Sequence, residues 1–275
     1  QHLCCIEEFS DDQIGVHMIE ERLFVPCKDH DIPMVLCVPQ AEGSYPCMLL
    51  LHGFLSYKEG DGYLLAKCAQ ALAKAGIASA RIDFCSMGEN RSSRIHYGTK
   101  IMLEETKTIY QFLQKDKRFI SDRIGLLGHS FGGRIALLST GLNPKCIVTL
   151  NGALKIQDQE GFKFSKEYVE DIQKNGHTIV KTSDGRYELV FETFLNELDV
   201  DLGSAFEYEG NTLVCVGDKD VTVEASLSYQ IIDMLKKATL IEIHEADHTF
   251  LAKTGNYAKV NELLEQVVAW LNLNL

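Results

Sequence analysis

Ser130 is the residue whose surroundings most suggest reactivity. It sits in Gly128-His129-Ser130-Phe131-Gly132, a G-x-S-x-G pattern that joins an apolar run to a helical one. A serine hydroxyl attacks a carbonyl only when a base takes its proton. A sharp strand-to-helix turn would push that hydroxyl out at the carboxyl edge of a sheet, and the cramped backbone there needs glycine neighbours. The N-terminus of the following helix also favours negative charge close by. The plain alternative is a glycine-rich turn holding an N-cap serine, so partners elsewhere in the chain must decide.

Of the nine histidines, His248 in His244-Glu245-Ala246-Asp247-His248 follows the last strand-like run and precedes the last helical one. That placement returns it to the sheet edge where Ser130 would stand. His244 lies within the run, at the other parity from Asp247, and reads as structural. A carboxylate to orient the imidazole should follow an earlier strand, and Val216-Gly217-Asp218-Lys219-Asp220 offers two. Asp220 is preferred because it lies beyond the strand terminus. Asp218, nearer the strand, reads as a loop cap that accepts backbone N–H groups. Serine, aspartate and histidine then come in the order expected when the nucleophile sits on such a turn.

Two backbone N–H groups should hold the developing oxyanion. One is expected from Phe131, directly after the serine, and one from Phe54, in the loop after Leu49-Leu50-Leu51-His52-Gly53. Losing one such donor typically costs about 10²–10³-fold in rate. His52 reads as a hydrogen-bonder that shapes this loop. The resulting chemistry is two-step acyl transfer: Ser130 attacks, His248 carries the proton to the leaving group, and water releases the acyl-enzyme. No metal and no organic cofactor is required. Activity should rise through a single ionisation near neutral pH as His248 deprotonates.

The elements that must position these residues follow from periodicity. Strands are expected over 17–40 (two, about the turn 28–31), 47–53, 77–84, 123–130, 145–152, 211–218 and 238–246. Helices are expected over 63–76, 99–115, 131–142, about 223–237 and at the C-terminus, where Val260, Leu263, Leu264, Val267, Val268 and Leu271 share a face. Strands alternating with helices imply an α/β domain with a mostly parallel central sheet covered on both faces. The alternation breaks over 154–208, which reads as a small inserted cap with a hairpin about Asp184-Gly185. The core is then 17–153 and 209–275.

Composition bounds the partners. The chain of 275 residues is 45% hydrophobic and 24% charged, with net charge −12. That charge disfavours nucleic-acid backbones and anionic membrane surfaces. The nine scattered cysteines contain no C-x-x-C pair and read as reduced core fillers of a cytoplasmic protein. The start shows no basic flank and apolar run of a signal peptide, and lacks an initiator methionine, which leaves room for an upstream segment. No run approaches the ~20 apolar residues of a membrane span. A small-molecule ester is the expected partner, and a homodimer is compatible with the sequence.

With these motifs in place, the chain resembles the α/β-hydrolases, through Leu51-His52-Gly53-Phe54, Arg81-Ile82-Asp83-Phe84, Gly128-His129-Ser130-Phe131-Gly132-Gly133, Gly217-Asp218-Lys219-Asp220 and Asp247-His248-Thr249-Phe250. The resemblance runs from about residue 20 to the C-terminus. Within that superfamily it is most similar to bacterial cinnamoyl and feruloyl esterases and to serine-aminopeptidase-like hydrolases. It implies the α/β-hydrolase fold, a Ser130-Asp220-His248 triad and an oxyanion hole at Phe54 and Phe131. One departure lies in Asp83-Phe84-Cys85-Ser86-Met87-Gly88-Glu89-Asn90, where Ser86 replaces the family's first glycine and Asn90 its final serine.

Substrate contacts are read from proximity to these motifs: His52, Cys85 and His129 around the turn, and Asp158 (with Gln159) and Phe162 in the cap. The cap aromatics Phe162, Phe164, Tyr168, Tyr187, Phe191, Phe194 and Phe206 would either line an aromatic acyl pocket or pack the cap onto the core. The expected activity is serine carboxylic-ester hydrolysis, with hydroxycinnamate esters as a candidate class. A peptidase or thioesterase using the same triad, and a non-catalytic ligand-binding protein of this fold, stay open. A dehalogenase is disfavoured, since it needs aspartate where Ser130 stands.

Overall fold

The computed structural model describes residues 5–11, 16–40, 42–90, 97–154, 166–182, 184–198 and 200–275. Three strands come first, as an antiparallel meander: β1 (Cys5–Asp11), β2 (Val16–Cys27) and β3 (His30–Val38). An alternating run follows: β4 (Tyr45–Leu51), α1 (Leu64–Lys74), β5 (Ala78–Ile82), α2 (Thr99–Lys115), β6 (Phe119–His129), α3 (Phe131–Leu138) and β7 (Cys146–Leu150). Next come α4 (Lys166–Asn175), β8 (His177–Lys181), β9 (Tyr187–Phe191), α5 (Glu192–Asn196) and α6 (Gly203–Phe206). The chain ends with β10 (Asn211–Gly217), α7 (Ala225–Ile232), β11 (Ala238–Ile243) and α8 (Ala258–Asn274).

Nine strands form one sheet in the order β1-β2-β3-β5-β4-β6-β7-β10-β11, while β8 and β9 pair separately. From β5 to β11 every neighbour is parallel, so the sheet is mostly parallel with an antiparallel flank. Parallel strands need both faces covered, and β4 illustrates how. Cys47, Leu49 and Leu51 join the cluster holding Met102, Ile109 and Leu113 of α2 and Ile135 of α3. Met48 and Leu50 join that of Leu65, Cys68 and Leu72 of α1 and Leu263, Val267 and Leu271 of α8. Fully burying each such leucine stabilises by about 1.5–3 kcal/mol.

Several sequence expectations change, among them the helix expected over about 223–237, which ends at Ile232. β1 was not foreseen; it pairs with β2 over Cys5↔Arg22 to Asp11↔Val16. The helix expected over 131–142 stops at Leu138, and a 3₁₀ turn spans Thr140–Leu142. There Ser139 Oγ donates back to Ile135 O at 2.8 Å, a bond that competes with helix continuation. Between β7 and β10, the described elements stay outside the large sheet. The β8–β9 hairpin turns at Asp184-Gly185, with Gly185 at φ 87.

Candidate active site

Ser130 lies between β6 and α3 at φ 55, ψ −123, a region that side chains other than glycine rarely enter. Such strain is of order 1–3 kcal/mol and persists only where neighbours over-determine it. Here Ser130 N–H donates to Leu150 O at 2.9 Å, while Ser130 O accepts from Gly133 N–H and Ala153 N–H at 3.0 and 2.9 Å. The flanking glycines exist for space. A Cβ on Gly128 would lie 2.1 Å from Gly132 O, and one on Gly132 would lie 2.2 Å from Leu51 O. The loop after β4 passes close over the serine, since a Cβ on Gly53 would meet Ser130 Cβ at 3.0 Å.

Asp220 and His248 come together from the ends of β10 and β11. His248 Nδ1 donates to Asp220 Oδ2 at 2.7 Å, and Asp220 Oδ1 accepts from Thr222 N–H and Val223 N–H, both at 2.8 Å. Backbone donors thus hold one carboxylate oxygen and aim the other at the imidazole, so the proton sits on Nδ1 and Nε2 is left to accept. Asp218 turns away: its Oδ2 pairs with His244 Nδ1 at 2.6 Å, on the exposed side. Asp218 also takes a backbone N–H bond from Glu245, while Asp220 caps the loop at Thr222 and Val223. Among the described residues, no hydrogen bond joins Ser130 Oγ to His248; such contacts are commonly long until substrate binds.

Asn151, which sequence reasoning missed, ties the loops together. At φ 44 and buried after β7, it donates through Nδ2 to Asp247 O and His248 O at 3.1 and 3.0 Å and accepts Gly217 N–H on Oδ1 at 2.7 Å. Its one signal was a polar residue closing an apolar strand. His129 grips the same carbonyl, with Nε2 donating to His248 O at 2.9 Å. Burial, reinforced by the neighbouring His248, pushes the His129 pKa down to about 4 from an ordinary 6.5.

A depressed histidine has a defined effect on stability. The unfolded chain takes up this proton first, so the stabilisation is complete above about pH 6.5 and is lost as pH falls towards 4. Replacing His129 with Gln should therefore flatten the acid limb, by on the order of 2 kcal/mol between about pH 7 and 4.5 in urea unfolding. Parallel limbs for the two proteins would show that His129 is not held neutral.

The expected oxyanion loop is packed from both sides. From the core, His52 is buried, with Nδ1 donating to Gly53 O at 2.7 Å and Nε2 accepting Phe84 N–H at 3.1 Å. From the segment after β7, the buried Phe194 ring stacks on Phe54 at 4.5 Å and lies 5.4 Å from both Phe131 and Tyr97. Phe194 is therefore packing, and Tyr187, 67% exposed, points outward. His52, Cys85 and His129 are expected from the sequence among the substrate contacts. All three are buried: His52 and His129 turn their ring nitrogens to backbone groups, and Cys85 donates its N–H to Glu105 Oε2 at 2.9 Å. Asp158, Gln159, Phe162 and Phe164 lie outside the described residues.

The departing loop has a physical account. Ser86 adopts φ 69, the conformation glycine takes freely, at a cost of about 1–2 kcal/mol. Asn90 Nδ2 donates to Asp83 O at 3.1 Å and Glu105 Oε1 at 3.0 Å, and Asp83 Oδ2 accepts from Lys58 Nζ at 2.8 Å. Among the described residues, two groups of donors come within metal-binding reach, His30-Cys85-Glu105 and Asp218-His244-Glu245. In each the histidine is already bonded to a carboxylate, at 2.7 and 2.6 Å, so hydrogen bonding accounts for the grouping.

Comparison with known proteins agrees with this architecture. Residues 103–255 match the family described as BAAT / acyl-CoA thioester hydrolase C terminal. A 31.7 kDa protein in the traX-finO intergenic region of Escherichia coli is 28% identical over 120 residues, 43% of this chain and 41% of that protein. The match thus spans about two fifths of that relative's length. Est1E from Butyrivibrio proteoclasticus, solved with ferulic acid bound, superposes with TM-score 0.75 at 18% identity over 91% of this chain and 98% of its own. The α/β hydrolase GrgF from Penicillium sp. sh18 gives TM-score 0.70 at 12% identity over 99% of both chains. At those identities the likeness is one of fold.

Proposed function

The chain is an α/β hydrolase belonging to the BAAT / acyl-CoA thioester hydrolase C-terminal family, and from that premise we propose that it hydrolyses small carboxylic esters through Ser130, His248 and Asp220. The observation that carries this is the elbow itself: a serine at φ 55 between a buried strand and a helix, with the Asp220–His248 pair at 2.7 Å on neighbouring strand ends. Ser130 Oγ attacks the ester carbonyl as His248 Nε2 takes its proton, and the oxyanion is received by the N–H groups of Phe54 and Phe131. His248 then protonates the leaving alcohol, water attacks the acyl-enzyme by the same route, and Asp220 stabilises the imidazolium. The elements between β7 and β10 act as a cap over this edge.

A thioester is the second reading, favoured by the family match. The net charge of −12 weighs against it for coenzyme A, whose phosphates such a field repels. The buried thiols Cys47, Cys68, Cys146 and Cys215 suit a reducing, cytoplasmic setting. The deciding experiment compares kcat/KM for methyl ferulate, a short aliphatic methyl ester and the matching acyl-coenzyme A, with Ser130→Ala as blank. An oxygen ester at least tenfold ahead supports the proposal, a margin worth about 1.4 kcal/mol in transition-state binding. A preference for acyl-coenzyme A overturns the ester in favour of the thioester. A ferulate preference over the aliphatic ester would point to an aromatic acyl pocket.

A further inference from the structure

We propose that Arg186, in the β8–β9 hairpin, is a positioning residue for the oxyanion loop, so that turnover at Ser130 depends on this hairpin being docked. The proposal rests on the reading of Ser130 as nucleophile and Phe54 as oxyanion donor. Arg186 Nη2 reaches across the molecule and donates to Leu55 O at 2.8 Å. Leu55 is buried and stands at φ 54, directly after Phe54. A leucine holds that backbone only where neighbours over-determine it.

The hydrogen bonds made by the neighbouring backbone N–H groups are longer. Leu55 N–H meets Tyr97 Oη at 3.4 Å, and Ser56 N–H meets Gly53 O at 3.3 Å. Gly53 O and Ser56 Oγ are held at 2.7 and 2.6 Å by His52 and Asp61, while of the two bonds made by the Leu55 backbone the arginine's is the shorter. It is also rigidly presented: Arg186 Nε pairs with Asp184 Oδ2 at 2.8 Å, Nη1 pairs with Glu188 Oε1 at 3.0 Å, and the guanidinium lies 5.2 Å from the Tyr57 ring centroid. Glu188 is 3% exposed on the inward side of the hairpin. The planar fork thus serves three partners in one fixed geometry, which a lysine ammonium on a flexible stem does not reproduce. Releasing Leu55 O lets Leu55 relax towards an ordinary φ, which reorients the Phe54–Leu55 peptide and shifts the adjoining Gly53–Phe54 peptide, carrying the Phe54 N–H away from the developing charge.

Such a role has a kinetic signature. A donor that binds the oxyanion acts in the transition state and little in the ground state. In Arg186→Met, kcat on p-nitrophenyl acetate should fall on the order of 10²-fold, as for misplacements of about 1 Å, with KM within about threefold. Inhibition by phenylboronic acid, which forms a tetrahedral adduct on the serine, should weaken in parallel. Labelling of Ser130 by a fluorophosphonate should remain stoichiometric, and Arg186→Lys should recover less than half of the lost kcat. Retention of kcat within about threefold in Arg186→Met would overturn the proposal. So would a fall in kcat matched by an equal fall in the fraction labelled, which would mark a folding defect. If wild type itself is not labelled at Ser130, the nucleophile assignment fails and takes this proposal with it. If wild type is labelled and Arg186→Met is unimpaired, only the arginine's role is lost.

Discussion

Replacing Ser130 with alanine should lower kcat by about 10⁶-fold, the loss seen when a serine, histidine and aspartate act as one unit. The backbone at this position is held by Leu150 O, Gly133 N–H and Ala153 N–H rather than by the side chain. The variant should therefore fold with wild-type stability. Ser130→Gly adds a second readout, because glycine adopts φ 55 without the strain of about 1–3 kcal/mol that an L side chain meets there. It should be equally inactive and more stable in urea. Steady-state kinetics with a chromogenic ester, alongside urea titration, checks both. A loss of only tenfold in Ser130→Ala would remove the serine from the role of nucleophile, whatever its stability.

Asp220→Asn should cost on the order of 10⁴-fold in kcat, because it imposes the wrong imidazole tautomer. Asp220 Oδ1 is committed to two backbone N–H donors, Thr222 and Val223 at 2.8 Å. The amide must keep its oxygen there and turn its NH₂ towards His248 Nδ1. That nitrogen then accepts, the proton moves to Nε2, and the position that should receive the Ser130 proton is already occupied. Asp218→Asn is the control. Its carboxylate meets the exposed His244 at 2.6 Å, and its loss should leave kcat within about twofold, as surface pairs contribute little. Equal losses in the two variants would show that the site senses loop charge in general rather than one oriented carboxylate.

Much of this arrangement was legible in the chain. The 3.6-residue spacing of Met102, Thr106, Ile109 and Leu113 marks α2, and all four are buried. The unbroken apolar run of β4 marks a strand covered on both faces. The choice of Asp220 over Asp218 came from distance past the strand end, and the structure brings Asp220 to His248. What escaped was of two kinds. β1 carries Glu7-Glu8, which breaks the period-two signal on which strand recognition depends. The remainder is long-range: Asn151 bonds residues 96 and 97 positions away, and Arg186 bonds one 131 positions away. Periodicity reports which face of an element is buried, and carries nothing about which loops then meet above it.

The place of the hairpin in the chain bears on how such an enzyme diversifies. Ser130 precedes the excursion between β7 and β10, while Asp220 and His248 follow it. A transplanted excursion would therefore leave every strand of the large sheet and every proposed reacting group untouched, as though specificity were a cassette. The Leu55 carbonyl and the face of Phe54 limit that freedom, because their partners Arg186 and Phe194 travel with the cassette. A chimaera that keeps those two anchors should inherit a working donor to the oxyanion, and one that omits them only the fold.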